Sequence, residues 1–300
     1  NAIPAAGVVL AIVLVVAAPI AWFLLGQRSD PDPAEIVAPA PTSSPATTAA
    51  PTTTTTTTAV VTGPRHNDLS LPPDFPARIP PARAVSQVAP LKMWTIGDST
   101  ALALGRLLEA NFAGDPAVTT RTIHQSSTGL TRQDFYDWPG AMTGLLAEGA
   151  PDAAIVSLGD NDAQPLQPQG STTFVDIGSP QWIEEYSRRL AAFVDQLTAA
   201  GSSVYLVGQP AMRDPGFDAR ITVVDSAYRA VAASHHGVTY LDSRALLGDD
   251  AGAYTDTLPG AGAPVTVRNT DGIHLSLEGA RWMARVVGRM VAADFAVAAP

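Results

Sequence analysis

Between Pro90 and Asp294, short apolar runs rich in β-branched residues alternate with longer stretches of helical periodicity. The runs Leu91–Ile96, Val118–Ile123, Ala153–Leu158, Val204–Val207 and Val238–Leu241 read as strands. Helices are expected over Ala101–Phe112, with Leu102, Leu104, Leu107 and Leu108 turned inward, and over Ile183–Ala200, Ile221–Ser234 and Leu277–Phe295. Gly201 is placed to end the second of these, and Ser276 to cap the last. Such an alternation has few structural solutions. Parallel strands need long crossovers, the crossovers are helices, and the helices cover both faces of the sheet. The expected fold is a three-layer α/β/α sandwich around a parallel sheet, occupying residues 90–296. Sites in sheets of this kind form at the carboxyl ends of the strands.

The chain ahead of this region has a different character. Residues 1–27 carry no charged side chain, and Ala5–Leu25 is almost wholly apolar. At about 1.5 Å per residue such a run covers roughly the 30 Å hydrocarbon core of a bilayer, so a transmembrane helix is expected there. The start with Asn rather than Met, directly before the apolar run, reads as a processed start or as the tail of a longer protein. Residues 28–89 form a second piece. Thirteen of the 26 prolines fall between Pro31 and Pro90, and Thr52–Thr58 is an unbroken threonine run. Such a tract lacks the apolar side chains for a core and is expected to be a disordered, extended linker.

Composition removes several functions. With no cysteine there is no disulfide scaffold, thiolate metal site or cysteine nucleophile. A net charge of −10 disfavours phosphate backbones, so no nucleic-acid partner is expected. Lys92 is the single lysine, and no G-x-G-x-x-G spacing follows a strand, which argues against a nucleotide-binding domain. No histidine cluster has metal-ligand spacing, so neither metal nor cofactor is expected.

Chemistry-bearing residues gather at the expected strand ends. The first strand runs into Gly97-Asp98-Ser99-Thr100 and a helix begins at once. A serine at such a turn is exposed, and its backbone N–H lies at a helix N-terminus, where it can face a developing oxyanion. The second strand leads to Ser126-Ser127-Thr128-Gly129-Leu130, and the third ends in Gly159-Asp160-Asn161-Asp162. Asp271-Gly272-Ile273-His274 precedes the last helix. An aspartate three residues before a histidine can reach Nδ1–H and fix the tautomer, leaving Nε2 to take a serine proton. His124 follows the second strand and could lie near the site, while His235 and His236 follow a helix and read as surface residues. Each motif alone also fits a capping residue or a turn.

Together, in this chain order, Ser99, Gly129, Asn161 and His274 resemble the four signature residues of the SGNH (GDSL-like) hydrolase superfamily. Thr100 departs from the first block, which usually carries Leu there. The segment Ser127–Arg132, continuing through Asp134–Pro139, is similar to an SGNH branch found in periplasmic proteins of unknown function and fused to membrane acyltransferases. The resemblance implies a catalytic triad of Ser99, Asp271 and His274. It also implies an oxyanion hole of the Ser99 and Gly129 N–H groups and the Asn161 amide. Phe135, Tyr136 and Trp138 could wall a sugar-binding surface, or equally pack beneath a loop. The implied activity is O-acyl ester transfer or hydrolysis on an acylated carbohydrate or cell-wall glycan. The implied setting is extracytoplasmic, anchored in the membrane through the N-terminal helix and possibly partnered by an acyltransferase membrane domain. A stand-alone membrane-anchored esterase and a non-catalytic glycan-binding module are the competing expectations.

Overall fold

The computed structural model describes residues 83–300. Five strands form one sheet: β1 (Leu91–Gly97), β2 (Val118–His124), β3 (Ala153–Ser157), β4 (Ser203–Val207) and β5 (Val238–Leu241). All are parallel, in the order β2-β1-β3-β4-β5. The chain first moves outward from β1 to β2, then returns to the other side of β1 to lay down β3. The reversal opens a crevice beyond the carboxyl ends of β1 and β3, where α/β sheets bind ligands.

The helices are α1 (Ser99–Phe112), α2 (Trp138–Glu148), α3 (Pro180–Ala199), α4 (Pro215–Ser234), the short α5 (Ser243–Leu247) and α6 (Leu277–Phe295). A two-stranded antiparallel pair, β6 (Thr257–Leu258) and β7 (Val265–Thr266), lies between α5 and α6 in the chain. Successive strand residues point to opposite faces of the sheet, and the core divides accordingly. Trp94, Ile96, Ala154, Val156, Val204 and Leu206 pack against α2, α3 and α4, where Trp138, Trp182, Tyr186 and Tyr228 are wholly buried. Leu91, Met93, Ala153, Ile155, Tyr205 and Val207 pack against α1 and α6. With both faces covered, every residue of β3 and β4 is buried, and the sequence there reads as unbroken apolar runs.

The three-layer sandwich agrees with the sequence expectation, and the five strands fall within one or two residues of it. Ser276 caps α6 by accepting from Gly279 N–H at 3.1 Å, and Gly201 follows α3 with φ +90°, as a helix-ending glycine should. The helix α2 was not foreseen, because Pro139, Gly140 and Gly144 blur its periodicity.

The preceding membrane helix is corrected. Among the described residues, no helix is long and apolar enough to cross a membrane. The two 20-residue helices are amphipathic: α3 exposes Glu184, Arg188 and Asp195, and α4 exposes Arg220. The span expected at Ala5–Leu25 lies outside the described residues, and the membrane anchoring and localisation that rested on it do not stand. The expected linker is likewise outside them up to residue 82. Its last residues dock on the domain. Arg83 makes a two-pronged ion pair with Asp152, Nε to Oδ1 at 2.8 Å and Nη2 to Oδ2 at 2.6 Å, and also donates to the Pro90 carbonyl.

Candidate active site

The turn after β1 has little room. A Cβ on Gly97 would lie 1.8 Å from the Ser157 carbonyl oxygen on neighbouring β3, so only glycine lets the chain pass. Asp98 then caps α1. Its Oδ1 accepts from Thr100 N–H at 2.9 Å and from the Thr100 hydroxyl at 2.8 Å. Thr100 Oγ1 also shares a 2.9 Å hydrogen bond with Ser157 Oγ. Thr100 therefore ties the turn that bears Ser99 to the end of β3. Ser99 becomes the first residue of α1, where backbone N–H groups have no intrahelical acceptor.

His274 reaches Ser99 from the loop before α6. Ser99 Oγ and His274 Nε2 are 3.1 Å apart, and His274 Nδ1 and Asp271 Oδ2 are 2.8 Å apart. Asp271 also accepts the backbone N–H groups of Ile273 and His274, at 2.8 and 3.0 Å. Burial pushes its carboxyl up, but these bonds and the imidazole outweigh burial and hold it below the ordinary carboxylate value. The turn between the two residues is braced by Arg268, which is buried and donates to the carbonyls of Ile273 (2.8 Å) and Gly272 (3.3 Å).

Asp162, in the single helical turn Asp160–Asp162 that follows β3, fastens the second loop. Its Oδ1 accepts from the N–H (2.8 Å) and hydroxyl (2.9 Å) of Thr131, and its Oδ2 from Tyr186 OH (2.9 Å). A Cβ on Gly129 would stand 2.2 Å from Asp162 Oδ1, so this close approach again requires glycine. Asn161 Nδ2 donates to Asp98 Oδ2 and to the Thr128 carbonyl, both at 3.1 Å. Asn161 thus stitches the third block to the first two, and an oxyanion would compete with these two acceptors for its hydrogens. Burial pushes Asp98 up to about 6, with the Asp162 charge adding to the rise and the Thr100 and Asn161 hydrogen bonds opposing it.

The sequence-nominated residues Ser99, Asp271 and His274 are thus brought together, and Gly129 and Asn161 lie on the adjoining loops. The aromatic trio separates. Trp138 is fully buried, donates to Thr128 Oγ1 at 3.0 Å and meets Tyr136 edge to face, so it cannot wall a sugar site; Phe135 is 62% exposed. His124 is exposed at the end of β2, opposite Gly97 in the sheet. His235 precedes the edge strand β5, at the amino end of the sheet, whereas Ser99 follows the carboxyl end of β1. Among the described residues, no group of histidines and carboxylates could hold a metal ion.

A cavity with about 580 Å³ of empty volume, its open mouth included, adjoins Ser99 and His274. Its walls are mainly apolar, with Leu104, Val207, Leu247 and Met283 among them, but Asp160 and Ser243 also line it. Sequence reasoning assigned neither residue a role. Asp160 could have been noticed as the variable position inside Gly159-x-Asn161, whereas Ser243 carries no sequence signal.

Among solved structures, the chain is similar to LAE5, an alpha/beta hydrolase enzyme from the metagenome of Lake Arreo, Spain. The two are 18% identical with a TM-score of 0.50, over 71% of this chain and 98% of that one. It is also similar to the acetyl xylan esterase AlAXEase, at 16% identity and TM-score 0.48, over 66% and 98%. A third similar structure is a putative lipolytic protein of the G-D-S-L family from Desulfitobacterium hafniense DCB-2, at 18% and 0.44, over 65% and 98%. At these identities the likeness is one of fold, an α/β/α sandwich. No curated protein matches the sequence. Residues 92–290 match the family described as "Protein of unknown function (DUF459)", and on that match the chain belongs to this family.

Proposed function

We propose that the protein is a serine-dependent ester hydrolase or O-acyltransferase, with Ser99 as nucleophile. The observation that carries this reading is the continuous relay from Ser99 Oγ through His274 to Asp271, at 3.1 and 2.8 Å, beside a cavity. Ser99 Oγ attacks the ester carbonyl carbon while His274 Nε2 takes its proton. Asp271 holds the imidazole in the required tautomer and stabilises the imidazolium. The negative charge on the carbonyl oxygen is met by the Ser99 and Gly129 N–H groups. Asn161 joins them by releasing Asp98 or the Thr128 carbonyl. His274 then protonates the departing alkoxide, leaving an acyl group on Ser99. A second attack, by water or by an acceptor hydroxyl, is assisted by His274 in the same manner and frees the serine.

Water as acceptor gives hydrolysis; a sugar hydroxyl gives acyl transfer. The resemblance in the sequence favours an O-acylated glycan as substrate, and the exposed Phe135, a short way beyond Gly129 in the chain, suits a sugar face. The test is labelling of the full chain with a serine-reactive sulfonyl fluoride, followed by mapping of the adduct. Modification at Ser99, with loss of aryl acetate hydrolysis in proportion, is expected. Labelling elsewhere, with Ser99 unmodified and turnover intact, would overturn the assignment.

A further inference from the structure

The cavity beside Ser99 contains two polar groups that the proposed reaction does not use. Asp160 is 9% exposed, and neither of its carboxyl oxygens has a hydrogen-bond partner among the described residues. Ser243 is wholly buried, and its hydroxyl is likewise unpartnered among them. Both line the same cavity. A buried polar atom without a partner is costly, and a charged one more so, so two around one small cavity call for an explanation. Other polar residues nearby are satisfied: Thr100 and Ser157 bond each other, and Gln209 donates to the Leu158 carbonyl.

We propose that Asp160 and Ser243 form a polar subsite that recognises a hydroxyl group on the part of the ester held in the cavity. The proposal rests on the reading of Ser99 as nucleophile and deepens it to a substrate preference. A hydroxyl both donates and accepts, so it can satisfy Asp160 and Ser243 together. A second carboxylate is disfavoured, because Asp98 and Asp162 already place negative charge against Asp160. An ammonium group is also a poor match. Burial, reinforced by the Asp98 charge, drives Asp160 well above the ordinary carboxylate value and toward its neutral form, with Arg268 opposing. The apolar walls would leave the remaining faces of a cation without partners. A purely hydrocarbon chain would fill the space while leaving both polar groups unpaired, which is how a hydrogen-bonding site rejects an apolar analogue.

The hydroxyl could belong to the acyl chain or to the alcohol, and the test separates the two. With the full chain, kcat/KM is compared between the nitrophenyl esters of 3-hydroxybutyrate and butyrate, and between glyceryl monoacetate and ethyl acetate. One pair should favour the hydroxylated member by about tenfold, the size of one net hydrogen bond, and the pair that does so identifies the source. Asp160→Leu and Ser243→Ala should each bring that ratio to about one; Ser243→Ala keeps the test open should Asp160→Leu fail to fold. No preference in either pair, or a preference that survives both substitutions, would overturn the subsite while leaving Ser99 in place. If no ester is turned over, the reading of Ser99 has failed instead. The subsite is then judged by binding alone, from NMR shifts with 4-hydroxybutan-2-one against butan-2-one. Binding of the hydroxyketone that is lost in Ser243→Ala supports it, and equal binding of the two ketones overturns it.

Discussion

Asn161 donates from Nδ2 to Asp98 Oδ2 at 3.1 Å, joining the turn after β3 to the residue that caps α1. Asp98 is completely buried, and its carboxyl titrates at about 6. Because the folded value lies above the unfolded one of roughly 3.9, the folded state binds this proton more tightly. The stability it contributes is complete below about pH 4 and is lost as the pH rises through 6. The gap of about two pKa units corresponds to on the order of 3 kcal/mol. Asp98→Asn should therefore flatten the fall in stability between pH 4 and 7 relative to wild type. Denaturant unfolding of both proteins across that range is the check, and parallel curves would count against it. Asp160 and Asp162 are shifted in the same direction and will retain part of the slope in the variant.

Ser99→Ala should abolish hydrolysis of a nitrophenyl acetate while leaving the melting temperature almost unchanged, since the removed hydroxyl faces the cavity rather than the core. His274→Ala should be nearly as severe. Asp271→Asn should cost less, because the base remains and only its tautomer and orientation suffer. Steady-state rates for the three folded variants would show the order, and wild-type turnover by Ser99→Ala would remove the mechanism.

Gly129→Ala places a methyl group 2.2 Å from Asp162 Oδ1, so the loop must move away from Asp162. The backbone N–H expected to meet the oxyanion moves with it. A fall in kcat of about 10²- to 10³-fold is expected, the size of one lost oxyanion donor. The loss should fall on kcat rather than KM, and a loss confined to KM would point to a binding role.

Arg268→Met removes the two hydrogen bonds that hold the turn bearing His274; the Ile273 carbonyl loses its Arg268 donor, while Gly272 keeps the Arg213 backbone N–H. A destabilisation of about 2–4 kcal/mol is expected, with a larger loss in kcat than in affinity. Thermal melting and kinetics on the same preparation test this; unchanged kcat would show that the turn holds itself.

The layered fold was legible because both faces of the sheet are covered. β3 and β4 are buried along their whole length, so their sequences had to be apolar runs bounded by turns. Ser99, Asp271 and His274 were legible because each stands in a short local motif. The connections between motifs were hidden. Nothing in the spacing shows that Asp162 would reach back to Thr131, or that Arg268 would support the His274 turn, since both contacts depend on how loops converge in space. For Trp138 the sequence left a sugar wall and packing beneath a loop equally open, because the helix α2 that turns it inward is blurred by Pro139, Gly140 and Gly144.

Arg83 grips Asp152 just ahead of β3, so the polypeptide joins the domain at the amino ends of the strands. Ser99 lies beyond the carboxyl end of β1, a seven-residue strand and so roughly 20 Å away at about 3.3 Å per residue. The first described residues and the candidate site therefore lie at opposite ends of β1. A fluorophore or affinity handle joined directly at Arg83 would sit at the amino ends of the strands, away from the cavity beside Ser99.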